Sequence, residues 1–121
     1  MEFEMGTSYV EYKGCGFWSR DDFLGDWINA ILPELMSMTA KEPWLGSLAD
    51  HWRTQAEIDG GCMSLELDEF LDDERKRDLI ISFSQRTLKH CSDRSRRTGQ
   101  LFIDLLSGQL KTNASSPIDY L

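Results

Sequence analysis

Apolar residues recur at three- and four-residue steps through Leu24, Trp27, Ile28, Ile31, Leu35 and Met38, with Leu32 beside the stripe. That period places them on one face of an α-helix. The opposite face carries Asp26, Asn29 and Pro33. Pro33 has no amide to donate and crowds the carbonyl four residues back, so a bend is expected there. It falls on the polar side, where a bend wraps the helix around a core. Ser19 reads as the N-cap, with Asp22 in the capping-box position and Asp21 beside the positive helix end. Phe17 and Trp18, just ahead, read as core anchors at the start of that helix.

A second helix is expected over about residues 43–58, because Pro43 suits a first turn and Gly60-Gly61 makes a stop. Trp44, Leu48, His51, Trp52 and Gln55 lie on or beside its inner face. Residues 62–71 form a connection, with a helical turn around Leu67 to Leu71. A third helix starts at Asp72 or Asp73 and runs to about Cys91, with Ile80, Phe83, Ser84, Thr87, Leu88 and Cys91 inward. Ser84 and Thr87 are small and let a neighbouring helix come close. Residues 92–97 are polar and read as a loop. A last helix over about 98–107 carries Leu101, Phe102, Leu105 and Leu106, Gly108 ends it, and 109–121 form a loosely held tail. Residues 8–13 hold two aromatics and Val10 before Gly14-Cys15-Gly16, the pattern of one short strand. The expected fold is therefore an all-α bundle of about four helices, with at most one short N-terminal strand.

Length adds that this is one domain: 121 residues is a common domain size. Four Trp and six Phe suffice for a core without disulfide or metal support. Three cysteines, Cys15, Cys62 and Cys91, make an odd, sparse set without C-x-x-C spacing, as expected in a reducing compartment. The first residues carry Glu2 and Glu4 and no apolar run, unlike a secretory signal. No window approaches the roughly 18 apolar residues of a membrane span. A cytoplasmic protein is expected.

The net charge of −8 is unevenly spread: residues 1–74 hold 17 acids against 4 bases, and residues 75–121 hold 4 acids against 9 bases. An acidic surface repels nucleic acid and attracts a basic partner, and it also attracts the chain's own basic half. The densest stretch runs from Glu66 to Glu74, six acids in nine positions with Leu67, Phe70 and Leu71 among them. Acids in a helix's first turn account for Asp72, Asp73 and Glu74 but not for Glu66, Asp68 and Glu69. As a surface that steers toward a basic protein, the stretch makes Glu66, Asp68, Glu69, Phe70, Asp72 and Asp73 the candidate partner-binding residues, with Phe70 and Leu71 as an apolar anchor.

Catalytic patterns are missing. His90 and Cys91 are adjacent and point apart, and Cys15, His51 and Cys62 have no zinc-module spacing, so no metal is expected. There is no G-x-S-x-G elbow, and His51 reads as a packed histidine with one ring nitrogen satisfied. No phosphate-binding glycine loop or EF-hand loop occurs, so no cofactor is expected either. Arg94, Arg96 and Arg97 can touch phosphate but lack interleaved aromatics, the weaker basis for a nucleic-acid-binding regulator.

With these pieces placed, the chain resembles small immunity proteins of bacterial polymorphic-toxin systems. The likeness is carried by Tyr12-Lys13-Gly14-Cys15-Gly16-Phe17-Trp18 running into Asp22, Leu24 and Trp27, then by Trp44, His51-Trp52, Gly61-Cys62 and Leu67-Asp68-Glu69-Phe70-Leu71. It implies a non-enzymatic protein that binds a cognate toxin. A toxin that is a nuclease carries a basic cleft, and an acidic face suits its occlusion. Some immunity proteins instead reverse a toxin's modification, so a small hydrolase is the enzymatic alternative.

Overall fold

The computed structural model describes residues 6–57 and 63–110. It opens with a hairpin rather than a lone strand: β1 (Thr7–Tyr12) pairs antiparallel with β2 (Cys15–Arg20), with Tyr12 opposite Cys15. The two turn residues, Lys13 and Gly14, both have positive φ, 52° and 83°. That backbone is the type I′ turn whose twist matches its strands. Lys-Gly lacks the Asn or Asp that usually marks such a turn, so in the sequence these glycines look like the end of a strand. Phe17 and Trp18 consequently sit in β2, not at the start of a helix. Val10, Tyr12 and Phe17 face the core, whereas Tyr9 and Trp18 pair on the outer face with ring centroids 5.1 Å apart.

Helix α1 (Asp21–Met36) follows β2 without a loop, and its first amide continues the ladder, Asp21 N donating to Gly6 O at 2.8 Å. The expected Ser19–Asp22 capping box does not form. Pairing with Ser8 turns Ser19 inward, the residue flanking the helix is Arg20 with no side-chain cap, and Asp22 instead meets Arg20 and Arg94. Pro33 lies inside α1 on its exposed side, as its pattern requires. Around α1 pack α2 (Trp44–Glu57), α4 (Glu74–Leu88), α5 (Asp93–Leu106) and β2. A single turn, α3 (Leu67–Phe70), links α2 to α4. Among the described residues the fold is thus mostly helical, four long helices and a one-turn helix, with a two-stranded sheet.

Trp27, Trp52 and Phe102, from α1, α2 and α5, form the aromatic centre and are fully buried. Trp27 and Trp52 both lie against Phe102, at 5.9 and 5.8 Å. Close approach of α5 to α1 depends on Gly99, where a Cβ would overlap the Trp27 ring. Ser84 and Thr87 are buried on α4, and their hydroxyls donate to the carbonyls of Ile80 and Phe83 one turn back. The small polar face is therefore satisfied within its own helix, and α5 packs on α4.

Residues 92–97 are not a loop. Ser92 caps α5 by accepting from Ser95 N at 3.2 Å, and Asp93 to Arg97 form its first turns. Arg96 reaches back and donates to the Leu88 and Cys91 carbonyls at the end of α4. α4 accordingly stops at Leu88, short of Cys91. The expected Gly60-Gly61 stop, Ile58, Cys62 and the tail from Lys111 lie outside the described residues. No described helix is long and apolar enough to cross a membrane.

Candidate functional site

Between α2 and α3 the chain runs with the alternation of a strand: Met63, Leu65 and Leu67 are buried, while Ser64, Glu66 and Asp68 are exposed. Its backbone is held from the α2 side. Gln55 Oε1 accepts from Ser64 N at 2.8 Å, His51 Nε2 meets Ser64 O at 2.7 Å, and Trp52 Nε1 donates to Leu65 O at 3.0 Å. Because a carbonyl only accepts, His51 carries its proton on Nε2. Three further ties draw the segment toward the hairpin. Ser8 Oγ accepts from Met63 N at 2.8 Å, Asp68 Oδ1 accepts from Lys13 N at 3.0 Å, and the Tyr12 hydroxyl donates to Leu71 O at 3.2 Å.

Between β1 and this segment lies a groove of about 420 Å³ lined by residues 64–69 together with Tyr9 and Glu11. Four carboxylates meet there: Glu11, Glu66, Asp68 and Glu69. Among the described residues none of the four forms an ion pair with a Lys or Arg side chain. Glu66 Oε2 stands 3.5 Å from His51 Nε2. A hydrogen bond shared with Glu66, and that residue's charge, hold the Glu69 carboxyl above the usual glutamate value. Burial first, then the charges of Glu11 and Cys15, raise the Tyr9 phenol. Its hydroxyl oxygen is enclosed without a hydrogen-bond partner among the described residues.

The acidic stretch read from sequence is thus divided by the fold. Glu66, Asp68 and Glu69 are brought together in the groove. Asp73 instead caps α4, accepting from Lys76 N at 2.8 Å, and Asp72 pairs with Lys76 at 3.1 Å. Leu71 is core, 1% exposed, so it offers no apolar anchor. Phe70 is half-buried against the His51 ring, 5.7 Å away. His51 itself lies beside Glu66, half-buried, with its Nε2 on the Ser64 carbonyl. Glu11 and Tyr9 were not legible as site residues, since they sit in the hairpin. Recognition of the Lys13-Gly14 turn would have placed both on one strand's outer face.

The basic half spends its charges elsewhere. Arg75 grips Glu42 with two bonds of 3.0 Å, Arg77 meets Asp78, and Arg86 meets Glu34. The Glu42 carboxyl is consequently held below its usual value, chiefly by the Arg75 bonds. Arg94 binds Asp22 and Asp26 and, with Arg20, flanks the Phe23 ring. Two of the three arginines considered for phosphate binding, Arg94 and Arg96, are therefore engaged within the protein. Among the described residues no three His, Cys, Asp or Glu side chains are arranged to hold a metal ion.

No protein-family model, curated protein or solved structure matches the chain.

Proposed function

We propose that this protein is an immunity protein, which binds a cognate bacterial toxin and neutralises it by seating the acid-lined groove over a basic active-site cleft. The observation that carries this reading is the convergence of Glu11, Glu66, Asp68 and Glu69 on one groove, where among the described residues none of them forms an ion pair with a Lys or Arg side chain. Carboxylates left unpaired on a concave surface concentrate a negative field, which accelerates encounter with a basic protein and competes with its polyanionic substrate. Arg75, Lys76 and Arg77 do not answer these acids, because their partners are Glu42, Asp72 and Asp78.

The test is capture of the neighbouring gene's product by the parent and by a variant with Glu66, Asp68 and Glu69 changed to Lys. The folded variant should associate at least about tenfold more slowly and lose the salt dependence of the parent. Equal capture at every ionic strength would remove the groove as the interface. A second reading, a hydrolase that reverses a toxin's modification, is favoured by one feature: the carboxyl pair Glu66–Glu69 with one member's pKa raised, beside His51. Metal analysis separates the two, since stoichiometric zinc, magnesium or iron in the purified protein supports the hydrolase.

A further inference from the structure

The outer edge of β1 faces the same groove at Tyr9 and Glu11, and its hydrogen-bonding groups can be assigned from the register. A two-residue turn makes Tyr12 and Cys15 a hydrogen-bonded pair, and such pairs then alternate along the ladder. The bond from Asp21 N to Gly6 O fixes the same parity from the other end. Ser8, Val10 and Tyr12 therefore spend their amides and carbonyls on β2, whereas those of Tyr9 and Glu11 point outward. Among the described residues no hydrogen bond reaches the Tyr9 or Glu11 backbone. The segment across the groove does not supply one, because Gln55, His51 and Trp52 hold it from α2.

We propose that the Tyr9–Glu11 edge of β1 receives an extended, basic segment of the bound protein as a third strand. Main-chain bonds give such strand addition its affinity, and alternate side chains give it specificity. Charge decides the occupant. A docked strand brings every second side chain to the same wall of the groove, where Lys or Arg meets Glu66, Asp68 and Glu69. A second copy of this chain, with net charge −8, would instead place Glu11 beside like charges. An edge glutamate is thus a guard against self-pairing, and it leaves a cationic strand as the favoured addition. This inference deepens the proposed function and rests on it.

The probe is a nonapeptide alternating Lys and Thr, with both ends blocked. The parent should bind it saturably below about 1 mM, and hydrogen exchange should slow at the Tyr9 and Glu11 amides. A peptide methylated on alternate backbone nitrogens keeps its charge but loses its donors, and should bind about tenfold more weakly. Glu11→Pro removes an outward N–H without breaking the β1–β2 ladder, and should lose about as much, whereas Glu11→Gln loses only a few-fold. Absence of binding, unchanged exchange at Tyr9 and Glu11, or undiminished affinity for the methylated peptide would each overturn the proposal. Should Glu11→Pro fail to fold, the methylated peptide decides. A protein that captures its toxin through the acids yet gains no protection at Tyr9 and Glu11 keeps its proposed function and loses the third strand.

Discussion

Glu66 holds its backbone at φ 54° and ψ 47°, a left-handed conformation that costs a residue with a side chain roughly 1–2 kcal/mol. Glycine would fit there without strain. The glutamate's carboxyl, however, lines the groove and stands by His51, which is the pattern of strain kept for a site. Glu66→Gly should therefore raise stability by about 1 kcal/mol in urea unfolding while slowing toxin capture. It should also let Glu69 titrate nearer an ordinary glutamate, read by NMR, because Glu66 is the main cause of the Glu69 shift. The sign follows from proton counting. With its folded pKa raised, Glu69 binds more protons folded than unfolded between the ordinary and the raised value, so stability falls as pH rises through that window. The variant should flatten that slope. A less stable Glu66→Gly would show that the side chain supports the fold and that the strain is small.

Among the elements, the Asp73 cap separates a structural acid from the site acids, and Ser92 supplies a second, uncharged cap. Asp73 caps α4 and Ser92 caps α5. Asp73→Ala and Ser92→Ala should each cost about 1 kcal/mol in thermal or urea unfolding. Asp73→Asn keeps the acceptor and should cost little, and none of the three should slow toxin capture. A capture rate that falls with Asp73→Asn would return Asp73 to the interface. Helices α1, α2 and α4 were legible because a buried face repeats every three or four residues. The start of α5 was not, since the face its first turns bury is made of Ser95, Thr98 and Gly99, which carry no apolar period. The hairpin was missed for a different reason. Its turn uses Lys13 at positive φ, a conformation that a lysine does not announce.

At the scale of the whole molecule, Trp27 ties the layers together, touching Phe102 and Gly99 of α5 from the middle of α1. Trp27→Ala should cost about 3–5 kcal/mol, measured by urea unfolding. Trp27→Phe should cost distinctly less, because among the described residues the buried Trp27 Nε1 proton has no acceptor, so its removal breaks no bond there. If Ala and Phe cost the same, the indole nitrogen has a partner, and if Ala costs nothing, this centre is not the core.

Much of this protein was determined by sequence alone. Periodicity set the existence of the long helices and most of their course, the apolar stripes of α1 and α2 set the burial of Trp27 and Trp52, and the excess of acids in the first 74 residues set the sign of any favourable partner. All of these depend on neighbours within a turn or two, or on a sum over the chain. The site depends on neither. Glu11 and Glu66 meet only because Ser8, Lys13 and Tyr12 bind the backbone or side chains of residues 63–71, across some fifty intervening residues. The helix start legible at Asp72 or Asp73 hinted at a separate role for these two acids, but only the folded α4 commits Asp73 to a cap and Asp72 to Lys76. Which charges stay unpaired is a property of distances between elements, and those distances come from the packing of the folded chain.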